Sequence, residues 1–229
     1  MGLRQTIRAP VSGVSDAWRD NHPWATVYDF IVERERLARV AWQAGIGSDV
    51  RMLYEAAEEI GRQPDGAAIL DIPCGGGVAL RGLGPSQRVR YVAADIAPAM
   101  LDRTRENAER RGLTQVETVI ADVEALPFAD HEFDLVVSFT GLHCFPRPPR
   151  AVHELARVLR PGGALTGSAF LTDTGLRHLP MRRVGRLSGL LGPSGSTEDL
   201  RRWLDDAEFM DVELRTSGAI TYFHARRPD

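Results

Sequence analysis

The chain has 229 residues, 43% of them hydrophobic and 26% charged, with a formal net charge of -3. That length and balance suit one globular α/β domain with a substantial core. The near-neutral charge offers nothing to a nucleic acid or an anionic membrane surface. Two cysteines exclude a disulfide framework or a zinc site, and no apolar run approaches a membrane span of about 18 residues. A metal-free cytoplasmic chain with free thiols is therefore expected.

Residues 1–22 are mixed and read as a loose arm. From Pro23 to about Ala44, Val27, Phe30, Ile31, Leu37, Val40 and Ala41 recur at helical spacing, and Gly45-Ile46-Gly47 ends that helix. Ser48 or Asp49 is positioned to cap a second helix running to about Ile60. Gln63-Pro64-Asp65-Gly66 is a turn. Residues 1–62 thus read as an arm and helical cap, and 63–229 as the core.

The core opens on Ile69-Leu70-Asp71-Ile72-Pro73-Cys74-Gly75-Gly76-Gly77, followed by Val78-Ala79-Leu80. This is a short apolar strand, an acid at its tip, a glycine turn and then a helix. Glycines there let the backbone turn sharply and approach a ligand closely. Such a corner binds nucleotides at the edge of an open parallel sheet. The dinucleotide fingerprint G-x-G-x-x-G fails at its third position, where Leu80 stands.

Arg88 to Ala94 reads as the second strand, ending at Asp95, 24 residues after Asp71. An acid at that tip either accepts ribose hydroxyls or caps the helix opened by Pro98-Ala99-Met100-Leu101. Val116 to Ala121 reads as a third strand followed by Asp122-Val123, and Phe133 to Ser138 as a fourth. Glu154 to Arg160 forms a helix, and Pro161-Gly162-Gly163 turns into a fifth strand. Ser196 caps a helix starting at Thr197. Met210–Thr216 and Ala219–His224 form a closing hairpin around Ser217-Gly218.

Four stretches in this order and spacing resemble the motifs of class I S-adenosylmethionine (SAM)-dependent methyltransferases of the ubiquinone/menaquinone methyltransferase-like, small-molecule type. They are Asp71-x-x-Cys74-Gly75-x-Gly77, Asp95-Ile96-Ala97-Pro98-Ala99-Met100-Leu101, Asp122-Val123-Glu124-Ala125-Leu126-Pro127-Phe128 with Phe133-Asp134-Leu135-Val136, and Glu154 through Ala164. The resemblance covers about residues 66–170. It implies a Rossmann-like seven-stranded, mostly parallel sheet with an antiparallel last strand and helices on both faces.

The resemblance also implies roles. Asp71, Cys74, Gly75 and Gly77 line the methionine half of SAM. Pro73 stands where the family has glycine and cannot donate an amide proton. Asp95 holds the ribose, Ile96 and Met100 flank the adenine, and Asp122 and the Val123 amide read its edge. The loop from Phe139 to His143 lies beside the sulfonium, and S-adenosylhomocysteine (SAH) is the product. Residues 171–196, with Arg177, Arg182, Arg183 and Arg186, correspond to a segment that often covers the acceptor; a solvated basic face is the alternative.

Methyl transfer requires alignment and an unprotonated nucleophile. His143 is the first candidate general base, with a packing or acceptor-positioning role as the alternative, and Tyr28 is the second. Trp24 and Arg182 are candidate acceptor contacts. A small-molecule acceptor with an oxygen, nitrogen or carbon nucleophile is expected, with no nucleic-acid or membrane partner; the chain is compatible with a homodimer. The competing classes are a SAM-binding protein without turnover, a protein or RNA methyltransferase, and a nicotinamide oxidoreductase, which Leu80 and Asp122-Val123 argue against.

Overall fold

The computed structural model describes residues 43, 46–175, 183, 187 and 192–229. Trp24, Tyr28, Arg182, the body of the helix expected over 23–44 and most of the segment 171–196 lie outside the described residues.

Seven strands form one sheet: β1 (Ala68–Asp71), β2 (Arg90–Asp95), β3 (Val116–Ile120), β4 (Phe133–Phe139), β5 (Leu159–Phe170), β6 (Met210–Ser217) and β7 (Ile220–Arg226). Their order is β3-β2-β1-β4-β5-β7-β6. β1 pairs in parallel with β2 and β4, as do β2 with β3 and β4 with β5, while β7 runs antiparallel to β5 and β6. The expected mostly parallel sheet with an antiparallel last strand is what forms.

β1 is buried at every residue because helices cover both faces of the sheet. Alternation along each strand divides the core in two. Leu70, Val92, Val136 and Leu165 face α3 (Pro148–Val158) and α4 (Thr197–Asp206), where Leu155, Leu200 and Leu204 meet them. Ile69, Tyr91, Leu135 and Val137 face α1 (Arg51–Gly61) and α2 (Pro98–Arg110), packing with Leu53, Ile60 and Leu101.

The helix ends follow their sequence signals in part. Ser196 caps α4 as expected: its hydroxyl accepts from Asp199 N–H at 3.1 Å, and the Asp199 carboxylate accepts from Ser196 N–H at 2.8 Å. The cap of α1 differs. Val50 holds that position without a side-chain bond, Asp49 accepts from Arg51 N–H at 3.0 Å, and Ser48 is fully buried.

After the glycine turn, the expected helix shrinks to a 3-10 segment, Val78–Gly82. Its close fit against α1 is the reason. A Cβ on Gly82 would lie 1.9 Å from the Ala57 carbonyl oxygen, and the Arg81 guanidinium stacks 3.5 Å from the centre of the Tyr54 ring. Gly84-Pro85 then stops any continuation.

Candidate functional site

Because β1, β2, β3 and β4 are parallel, their carboxyl ends share one edge of the sheet. Asp71, Asp95 and Phe139 terminate three of these strands. From β1 the chain moves outward to β2 and β3, then crosses back to β4. The crevice between β1 and β4 is therefore the topological switch point, where ligands bind in open α/β sheets.

The glycine turn is held in place by main-chain bonds. Cys74 N–H donates to Ala94 O at 2.9 Å, and Gly77 N–H to Cys74 O at 2.9 Å. Gly75 N–H donates to Asp95 Oδ2 at 3.0 Å, while Ala97 N–H donates to Asp95 Oδ1 at 2.9 Å. Gly75 and Gly77 take φ of 52° and 85°, the left-handed region that favours glycine. Their bare faces differ. A Cβ on Gly77 would lie 2.9 Å from Leu80 Cδ1, but one on Gly75 would meet no atom of the described residues within 4 Å. Among the described residues, Gly75 thus presents a bare face beside the Asp95 carboxylate.

Asp71 has a different surrounding from the one expected of a residue lining the methionine half of a cofactor. It is 1% exposed, on the same face as Ile69 and Tyr91, and accepts from the Tyr91 hydroxyl at 2.8 Å. Burial pushes its pKa up to about 8, against the lowering effect of the tyrosine bond. Asp71 is held within the core by Tyr91 rather than facing the open edge. Cys74 is also buried, and desolvation, reinforced by Asp95 and Asp71, raises its thiol well above the usual range. It is no nucleophile.

The other expected residues gather along the same edge. Ile96 is half-buried, and Met100 packs with Ala97. Asp122 Oδ1 accepts from Glu124 N–H at 2.9 Å, and Val123 and Phe139 are buried. Sequence reasoning missed what anchors this loop. Glu124 is 2% exposed and accepts from Arg147 N–H at 2.7 Å and from Arg147 Nη2 at 2.6 Å. Glu154 accepts from Leu126 N–H at 2.9 Å, and Arg157 donates to the Leu126 and Phe128 carbonyls. No local pattern links Glu124 to an arginine 23 positions away, so only the fold reveals the pair.

Beyond β4, Thr140 has φ of 52°, costly for a β-branched residue. Its N–H donates to the buried Ser168 hydroxyl at 3.0 Å. A 3-10 turn, Leu142–Cys144, follows and carries His143. The His143 carbonyl accepts from Gly192 N–H at 2.7 Å.

The environment of His143 argues against the general-base reading. Its Nδ1 accepts from Phe170 N–H at 3.2 Å, and the two rings meet edge to face. With Nδ1 accepting, the ring proton sits on Nε2. Burial pushes the pKa down to about 3. A base with a pKa that low and its lone pair already engaged has little to offer near neutral pH. What the ring retains is an Nε2–H donor.

The corner fits an adenosyl group better than a dinucleotide. A fixed carboxylate stands beside an open glycine face, as ribose recognition requires. A pyrophosphate needs the N-terminus of an α-helix and close packing at a third glycine. Here a five-residue 3-10 segment follows the turn, with Leu80 fully buried inside it. Among the described residues, no cluster of His, Cys, Asp and Glu could hold a metal ion, and no helix is long and apolar enough to cross a membrane.

Comparison with known proteins finds methyltransferases in both sequence and fold. Residues 70–166 match the family described as "Methyltransferase domain". The chain is 31% identical over 202 residues to an uncharacterized chloroplastic methyltransferase of Arabidopsis thaliana, covering 86% of this chain and 55% of that protein. It is 28% identical over 162 residues to an arsenite methyltransferase of Halobacterium salinarum, covering 69% and 41% respectively. Its fold superposes on Haemonchus contortus phosphoethanolamine N-methyltransferase 2, solved with phosphomonomethylethanolamine and S-adenosylhomocysteine, with a TM-score of 0.76 and 14% identity over 96% of this chain and 62% of that one. The first five curated relatives are matched over only 35% to 55% of their own lengths.

Proposed function

We propose that the protein, whose residues 70–166 match the methyltransferase-domain family, transfers a methyl group from SAM to a small-molecule acceptor. The observation that carries this reading is the pairing of the Asp95 carboxylate with the open Gly75 face at the switch point. When bound, SAM supplies an electrophilic methyl on a sulfonium whose leaving group is a neutral thioether.

This chain's residues then have four tasks. Asp95, held by Gly75 and Ala97, accepts the ribose hydroxyls. Ile96 and Met100 pack on the adenine, and Asp122 with the Val123 amide reads its polar edge. Pro73, Cys74, Gly75 and Gly77 shape the methionine end, and Phe139 closes the β4 side. His143 donates from Nε2 to an oxygen of the acceptor and removes no proton. An acceptor that arrives with a free lone pair, such as an unprotonated amine or a carboxylate, needs no base, and for one that must lose a proton Tyr28 is the candidate base. Holding reactants in line is the main source of rate, and alignment alone supplies roughly 7–11 kcal/mol.

A small acceptor is supported by the absence of a strong net charge and by relatives named for small substrates, arsenite among them. Fold likeness alone would not carry that step. The test is release of SAH and transfer of label from methyl-labelled SAM across separate panels of amines, carboxylates and phenols, with a bulk protein and RNA panel alongside. Label in a small molecule supports the proposal. Turnover confined to protein or RNA overturns the acceptor class, and SAH binding with no turnover on any panel favours a SAM-binding protein without catalysis.

A further inference from the structure

Two polar residues lie in the interior of α2, where they do little for the helix itself. Thr104 is fully buried and Asn107 is 7% exposed. Threonine and asparagine are weak helix formers that compete for backbone partners. Three positions apart, they share one helix face, and that face meets the glycine turn. Thr104 Oγ1 donates to Gly75 O at 2.7 Å, and Asn107 Nδ2 donates to Gly76 O at 3.2 Å. The contact is tight: a Cβ on Gly77 would lie 3.2 Å from Thr104 Oγ1.

These bonds reach the candidate binding group through one residue. Gly75 has its carbonyl held by Thr104 and its N–H donated to Asp95 Oδ2. The start of α2 holds the other carboxylate oxygen through Ala97 N–H. One helix therefore grips Asp95 directly at its first turn and indirectly, two turns later, through the glycine turn. We infer that Thr104 and Asn107 are positioning residues for cofactor binding: they fix the Gly75 and Gly76 carbonyls on α2, so that the Gly75 N–H stays on the Asp95 carboxylate and the open face of Gly75 keeps its direction. This inference rests on the SAM reading above.

SAH is the probe. Losing one such hydrogen bond corresponds to about a three- to tenfold loss of affinity. Thr104→Val, which keeps the shape and removes the hydroxyl, raises the SAH dissociation constant by about that factor. Thr104→Ser, which restores the donor, returns it to within about twofold of wild type. Asn107→Ser gives a smaller loss and serves as the second variant if Thr104→Val does not fold. A role in general packing would give losses independent of Asp95, so the cycle with Asp95→Asn is decisive. In that background the effect of Thr104→Val, or of Asn107→Ser if it replaces it, shrinks below about twofold. Equal SAH affinity in wild type and both variants, or full additivity with Asp95→Asn, overturns the positioning role while leaving SAM binding intact. Wild-type protein that binds no SAH overturns the cofactor reading and this inference with it.

Discussion

Pro73 and Gly141 are fitted to each other across the crevice: a Cβ built on Gly141 would lie 2.2 Å from Pro73 Cδ and 3.0 Å from Ser138 Oγ. The turns after β1 and β4 touch here, leaving no room for a side chain at position 141. Proline at position 73 is thus accommodated by glycine at 141. Gly141→Ala is expected to lower stability by about 1–3 kcal/mol through overpacking. Adding Pro73→Gly should recover most of that loss. Denaturant melts of the three variants decide it, and purely additive losses would mean that the two turns are uncoupled.

Asp95→Ala should weaken SAH binding by at least about tenfold, the scale of a lost charged hydrogen bond. The same variant should leave Gly75 N–H without its acceptor and make the glycine turn exchange faster with deuterium. Unchanged SAH affinity would remove Asp95 from the ribose role.

Asp71 and His143, both perturbed near the edge, predict opposite pH trends in stability. Asp71 has its folded pKa raised from 3.8 to about 8, so the native state keeps a proton that the unfolded chain releases. Its contribution is full below pH 3.8, declines as pH rises and is gone above about 8. Asp71→Asn should flatten that decline. His143 has its folded pKa lowered from 6.5 to about 3, so its contribution is present above 6.5 and is lost as pH falls toward 3. His143→Gln should flatten the acid side. Stability measured against pH for wild type and both variants checks each sign, and a variant with the wild-type slope would refute the corresponding shift.

With Nδ1 engaged by Phe170, His143 should contribute no ionisation near neutral pH to the rate profile. His143→Ala is expected to lower the rate by about tenfold, and His143→Gln, which keeps a donor, by less. An ionisation between pH 5 and 8 that disappears in His143→Ala would restore the general-base role.

The anchors of the Asp122 loop make a further comparison. Arg147→Ala leaves the Glu124 carboxylate, 2% exposed, without its charged partner, and should cost about 1–3 kcal/mol. The corresponding change at Arg62, whose pair with Glu58 is well exposed, should cost much less. Equal thermal shifts would show that the Glu124 pair is no anchor.

Local chemistry made much of this molecule legible. The apolar runs at Ile69-Leu70, Tyr91 to Ala94 and Phe133 to Ser138, each closed by a turn signal, marked the strands, and the Ser196 cap marked α4. The acids at the strand tips and the glycine turn marked the edge. What was illegible depended on contacts far apart in the chain. The 3-10 segment arises from Gly82 meeting Ala57, the inward turn of Asp71 from Tyr91, the tautomer of His143 from Phe170, and the hold on Asp122 from Arg147 through Glu124. Each joins elements whose adjacency the sheet order creates, and no periodicity encodes it.

Titration calorimetry with S-adenosylhomocysteine, with NAD as the control ligand, tests the proposed cofactor site most directly. Micromolar binding of S-adenosylhomocysteine and no heat from NAD are predicted. Binding of NAD in its place, or no binding of S-adenosylhomocysteine at all, would contradict a SAM-dependent methyltransferase built on the Gly75–Asp95 corner.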